Sequence, residues 1–187
     1  LWMHHFGNGL VSTPSDFGLR SAPPTHPELL DWLSHEFIRA GYNVKHLHRL
    51  ILNSAAYQQS STPSPKSLES DPENRLLSRF PLQRHAFETQ HDALLAVSGK
   101  LDLTTGGPPT GPDSRRRTLY GFVNRMDVPP EMTTFDFPSP STSCPQRLTT
   151  TVAPQALYLM NNTFVQDHAQ ALARRLIAQD SNLNKSI

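Results

Sequence analysis

Apolar residues recur at helical spacing over two stretches in the first third of the chain. In "THPELLDWLSHEFIRAG", Leu29, Leu30, Leu33, Phe37 and Ile38 fall three or four apart, which predicts an amphipathic helix. Thr25 with Glu28 three residues on has the form of a capping box, and Gly41 is the stop. In "NVKHLHRLILNSAAYQQ", Val44, Leu47, Leu50 and Ile51 form a second stripe with Asn43 placed to cap it. The link between the two is short, so they are expected to form an antiparallel helical hairpin. "LWMHHF" has the form of a helix tail ending at Gly7 or Gly9, and "VSTPSDFGLRSAPP" is a loop.

Further along, "SSTPSPKSLES" is a polar loop, and "DPENRLLSRF" opens a short helix with Asp71 as cap and Pro72 in first position. "QRHAFETQHDALLAVSG" predicts a third long helix stopped by Gly99. The stretch after it is irregular: "TLYGFVN" is a strand or an extended segment, and "PPEMTTFDF" is one helical turn. "APQALYLMNNTFVQDHAQALARRLIAQ" predicts two helices broken near Asn162, with the residues after Gln179 frayed. The expected fold is mainly α, an irregular helical domain with long Pro-rich loops and at most a short strand pair near Leu119 to Asn124. It is expected as a single domain over 1–187: a helical hairpin region at 1–60, central helices at 71–99, an irregular loop region at 100–150 and C-terminal helices at 153–179.

Composition narrows the chemistry. Apolar residues make up 36%, with 17 prolines and 9 glycines, short of a low-complexity composition. The net charge of +1 supplies no global field for nucleic acid or anionic lipid. Cys144 is the single cysteine, which excludes an internal disulfide, a multi-thiolate zinc site and covalent haem attachment through C-x-x-C-H. No apolar run approaches the ~18 residues of a membrane span. The chain starts at Leu1 without a leader, which suggests a piece of a longer protein.

Of the nine histidines, none stands in H-x-x-x-H or H-E-x-x-H spacing. His4 and His5 project about 100° apart on a helix and cannot chelate one ion from that element alone. His46 and His48 face opposite sides. "ETQH", Glu88 to His91, has the spacing of di-iron carboxylate bundles but occurs in one copy only. No metal site is predicted. A stronger pattern is Arg84, Glu88 and Asp92 at i, i+4 and i+8, a charged row running into the apolar "ALLAVSG". A solvated salt-bridge row is one reading of it; its arginine lies at the unfavourable end for a helix dipole, which is compatible with a site or an internal ion-pair network. Arg115, Arg116 and Arg117 form either a solvated charge cluster or an anion clamp for a carboxylate, sulfate or phosphate. Asp136 and Arg147 lie within long irregular segments, where ordered loops tend to carry function. No Ser or Thr nucleophile is identifiable, since G-x-S-x-G is absent.

The motifs "HHFGNGLVSTPSDFG", "THPELLDWLSHEFI", "LHRLILNSAAYQQSS", "DPENRLL", "DALLAVSGKLD", "FDFPSPSTSC" and "TTTVAPQALYLMNNTFV" follow one another here. In that order they resemble the planctomycete-type, cytochrome-c-associated domain of unknown function 1553, from residue 1 to about 177. The resemblance implies the C-terminal domain of a large exported bacterial protein, periplasmic or otherwise extracytoplasmic. Such proteins carry a c-type cytochrome domain and a companion helical domain upstream, so haem c belongs to another domain and no cofactor is expected in this chain. The family's company points to polysaccharide breakdown. Its pattern at the third helix matches Arg84, Glu88 and Asp92, while His85 and His91 stand where Leu and Arg are usual. His4, His5, His26 and His48 match its histidine motifs.

The expected function is therefore a domain acting in carbohydrate oxidation or degradation. Glu88, Asp92 and Arg84 are the catalytic candidates. Arg115, Arg116, Arg117, His4, His5, His26, His48, Asp136 and Arg147 are the ligand-binding candidates, lining a polar cleft for an anionic or sugar-like ligand. The alternative is a non-catalytic scaffold docking the cytochrome and companion domains, with Arg84 and Glu88 as a buried ion pair. Neither reading invokes nucleic acid or a membrane span.

Overall fold

The computed structural model describes residues 1–111 and 113–183. The chain is mainly helical and divides into two compact units, Leu1–Gln83 and Arg84–Ile187. No helix among the described residues is long and apolar enough to cross a membrane.

The first unit contains α1 (Trp2–Phe6), α2 (Pro27–Arg39), α3 (Val44–Leu52), α4 (Ala55–Gln58) and α5 (Pro65–Ser70). α1 ends at Gly7, whose φ of 81° belongs to the left-handed region that glycine enters freely. α2 ends where Gly41 and Tyr42 take φ of 64° and 62° in succession. The Tyr42 N–H returns to the Phe37 carbonyl at 2.9 Å, closing the last turn. Asn43 caps α3 as expected, its Oδ1 accepting the His46 N–H at 3.2 Å. Phe6, Leu10, Leu47 and Ile51 form the buried apolar set of this unit. Each such side chain contributes ~1.5–3 kcal/mol on burial.

Several local expectations are corrected here. Thr25 does not cap α2: its hydroxyl donates to the Leu10 carbonyl at 3.3 Å, and the residue flanking α2 is His26, without a side-chain cap. The buried side chain of α2 is Glu36 and not its Leu/Phe stripe, because Glu36 faces both Arg39 at 2.7 Å and His46 at 3.6 Å. The second helix is interrupted at Asn53, since Ser54 captures the Tyr57 N–H at 3.2 Å and starts α4. The polar loop contains α5: Ser64 and Ser67 bond each other's backbone N–H at 3.1 and 3.0 Å, and Pro65 takes the first helical position. The helix expected after Asp71 is replaced by turns, because the Asp71 carboxylate accepts the N–H groups of Arg75 (2.7 Å) and Leu76 (3.0 Å) instead of a first-turn donor.

The second unit holds α6 (Phe87–Val97), a short 3₁₀ turn (Thr118–Tyr120), α7 (Pro130–Thr134), α8 (Ala153–Asn161) and α9 (Thr163–Leu183). Phe87, Met132 and Phe135 form its core, with Val128, Phe137 and Tyr158 packed against them. Leu95 of α6 is buried too. The break between α8 and α9 falls where expected, and Asn162 Oδ1 accepts the Phe164 N–H at 2.9 Å. α9 continues past Gln179 to Leu183, and the final residues expected to fray, 184–187, lie outside the described residues. α6 starts at Phe87, three residues beyond Arg84, so Arg84 is not on it. The strand pair near Leu119 to Asn124 is absent among the described residues, where isolated bridges join Thr110 to Gly121 and Asn124 to Asp127. The chain turns at Thr118 because Asp92 holds both its N–H and its hydroxyl.

Candidate functional site

Arg84, Glu88, Asp92, Asp136 and Arg147 of the second unit lie on and around the N-terminal part of α6, each in an internal contact. Arg147 donates from Nη1 and Nη2 to the two carboxylate oxygens of Glu88, both at 2.8 Å, a planar fork on a matching acceptor. The same guanidinium lies over the Phe137 ring, 5.1 Å from its centroid. Burial raises the Glu88 carboxyl, and the Arg147 fork outweighs that, holding it below the usual carboxylate range. The Glu88 hydrogen bonds in turn raise Arg147.

One turn along α6, Asp92 accepts the Thr118 N–H and hydroxyl, both at 2.7 Å, and Arg117 Nε at 3.4 Å. His91 reaches the Thr118 hydroxyl at 3.0 Å and stacks on Phe164 with ring centroids 4.5 Å apart. Burial lowers His91, with Asp92 opposing part of that effect. α6 therefore carries two carboxylates that each pin a distant segment.

Arg84 takes a different partner from the one its spacing suggests. It does not pair with Glu88. Its Nη1 donates to the Thr150 carbonyl at 2.6 Å and to Gln155 Oε1. Gln155 is 2% exposed, and its amide spans the region: Nε2 donates to the Thr134 carbonyl at 2.9 Å, and Oε1 accepts the Val152 N–H at 3.3 Å. Asp136, at φ 62°, accepts the Thr150 N–H at 2.8 Å and its hydroxyl at 2.7 Å. The Pro-rich segment 137–149 is thus tied at its base by Asp136 and Thr150 and along its length by Arg147.

The three consecutive arginines separate. Arg117 meets Asp92. Arg116 donates to the Thr104 carbonyl at 3.0 Å and to the Gly106 carbonyl, and lies 4.2 Å from the Tyr120 centroid. Arg115 is exposed, and its own carbonyl accepts the Asp102 N–H at 2.8 Å. They form no common clamp. A groove of about 450 Å³ lies elsewhere in this unit, lined by Lys100, Asp167, Gln170, Arg174 and Arg175, and none of the candidates lines it.

The remaining candidates belong to the first unit. His5 Nε2 and His48 Nδ1 are 2.8 Å apart, and His5 packs edge-on against Tyr57. His4 is exposed, and His26 Nδ1 meets the Thr25 hydroxyl at 3.0 Å. Among the described residues no group of three or more His, Cys, Asp or Glu is placed to hold a metal ion.

Chemically, the α6 constellation clamps segments together. Both oxygens of each α6 carboxylate already accept hydrogen bonds, and the ionised form of Glu88 is favoured, which suits a tether better than a proton donor. Pattern reasoning missed Gln155, Thr118 and Thr150, the residues that join the charged ones. The position of Gln155 just after Pro154 in the first turn of α8, where a polar side chain can meet free backbone N–H groups, was the available signal.

Comparison with curated proteins and with solved structures returns no match. The family described as PSD1, protein of unknown function (DUF1553), has a model that matches residues 1–187, and the chain belongs to that family.

Proposed function

We propose that this chain is a non-catalytic interaction domain that docks the cytochrome-c-type and companion helical domains of an exported, extracytoplasmic parent protein. The observation that carries this reading is the occupancy of the candidate catalytic groups. The Glu88 oxygens are held by Arg147, and those of Asp92 by Thr118 and Arg117. A general acid or base needs a reacting group within hydrogen-bond reach, and these carboxylates reach protein donors. Large apolar side chains are meanwhile left on the outer faces of α8 and α9: Leu157, Met160, Leu176 and Ile177 are 53–70% exposed. Leu157 and Met160 fall three apart on α8, and Leu176 and Ile177 are adjacent on α9; exposed apolar side chains grouped in this way support a partner surface.

The test mixes the 187-residue chain with the upstream remainder of its parent protein and measures association by calorimetry. Saturable binding that weakens in Ile177→Glu, with the helical circular dichroism spectrum retained, is the expected result. The reading fails if the chain turns over or binds members of an oligosaccharide panel and Glu88→Ala abolishes that with the fold intact. That outcome would restore the carbohydrate-active alternative.

A further inference from the structure

His5 and His48 are 43 positions apart in sequence, on α1 and α3, and their ring nitrogens meet at 2.8 Å. The rings stand 62° apart in plane with centroids at 5.0 Å, an edge-on arrangement suited to one N–H pointing at one lone pair. This contact sits beside the apolar seam of the first unit. Phe6, next to His5, is 2% exposed, and Leu47, next to His48, is 7% exposed. The bond therefore lies where α1 is fastened to α3.

A bond between two imidazoles has a definite proton capacity. With both rings neutral, one nitrogen donates and the other accepts. With one added proton, an imidazolium still donates to a neutral ring. With a second added proton, both facing nitrogens carry hydrogens, no acceptor remains, and two positive charges face each other. The charged groups that act on His5 disfavour a further proton, and the buried carboxylate of α2, Glu36, is taken by Arg39 and His46. On α1 the neighbour is His4, on α3 His48, and on α4 the Tyr57 ring, while the Gln83 amide donates to the His5 carbonyl at 2.9 Å. None of these is a carboxylate.

We propose that the His5–His48 pair is a proton-operated latch that fastens α1 to α3 when the pair carries at most one extra proton and loosens α1 when it carries two. Burial, and then the charge of His48, lower His5 from its ordinary value of 6.5. The sign follows from that direction. An imidazole lowered in the folded state takes up more protons when unfolded, so the latch is fully effective above pH 6.5 and loses strength as pH falls below it.

The experiment uses the 187-residue chain and follows the imidazole nitrogens and the backbone amides by NMR from pH 7.5 to 4.5. The expected result is coupled titration of His5 and His48, in two steps that neither ring shows alone. It is accompanied by several-fold faster exchange, corrected for intrinsic rates, at the Gly7 amide that bonds the Met3 carbonyl at 2.8 Å. In His48→Asn, a side-chain amide that can donate or accept stands in for Nδ1 and cannot take up a proton, so the pH response at Gly7 disappears while the fold at pH 7.5 is retained. His5→Gln provides the same test from the other side if His48→Asn does not fold. Independent single titrations of the two rings in the wild-type chain, or an unchanged pH response in either folded variant, overturn the latch.

Discussion

The first unit closes on rings: Phe6 and Tyr57 lie 6.0 Å apart, Tyr57 and Phe80 5.1 Å, Trp2 and Phe6 4.3 Å, and the His5–His48 bond stands beside them. The second unit also has an aromatic core, but its long-range joints are ionic or charge-assisted: Glu88 with Arg147, Asp92 with Thr118, Asp136 with Thr150, Arg84 with Gln155. The difference follows from what each unit must hold. In the first, Trp2 and Phe6 stack on neighbouring turns of α1, and Tyr57 of α4 and Phe80 bring their rings onto Phe6 from elsewhere in the chain. In the second, a Pro-rich stretch has few regular backbone bonds, so directional side-chain bonds position it.

The comparison can be broken from either side. The largest effect is expected for Phe6→Ala, which empties a position 2% exposed and should cost about 3–5 kcal/mol. Both tryptophans, Trp2 and Trp32, lie in this unit, so urea unfolding followed by their fluorescence reports it selectively. Retention of the wild-type midpoint would show that the ring cluster is not the fastening.

Gln155→Leu comes next. It leaves the Val152 N–H and the Thr134 carbonyl without their buried partner and should cost about 2 kcal/mol, read by loss of amide protection in α7 and α8. Glu88→Ala and Arg147→Ala should each cost about 1 kcal/mol, since the fork is partly solvated. A double-mutant cycle should show most of that as coupling. Because the Glu88 carboxyl is held below its ordinary value of 4.5, this contribution is complete above that pH and fades as pH falls below it. A coupling unchanged at pH 3 would refute the assignment. The smallest effect is expected for Arg115→Ala, within about 0.5 kcal/mol by thermal melting, because that side chain is exposed.

Several features set within a turn or two were legible in the sequence, although Thr25 and Asp71 do not cap as their positions indicate. Asn43 and Asn162 cap as their positions indicate, and Gly7 and Gly41 stop their helices, because each depends on backbone groups a few residues away. The α5 capping box was missed for a related reason: two serines in a Ser- and Pro-rich stretch carry no apolar periodicity to mark a helix. The Arg84, Glu88, Asp92 row picked out groups in strong contacts, but spacing implied that they answer one another. Glu88 instead pairs with a residue 59 positions on and Arg84 with one 71 positions on. Helical spacing describes which residues share a face, not what another segment brings to it. His5 and His48 illustrate the same limit, since nothing in either motif names the other as its partner.

The Arg147 fork has a consequence for limited proteolysis. Arg147 is the one basic residue between Phe137 and Thr150, and Leu148 beside it is 81% exposed. Trypsin requires an arginine side chain inserted fully into its own pocket, and here that side chain is clasped by Glu88 and laid over Phe137. A segment that looks open to attack is therefore protected at its single tryptic bond for as long as the clasp holds. The rate at which that bond is cut becomes a clock for how often the clasp opens.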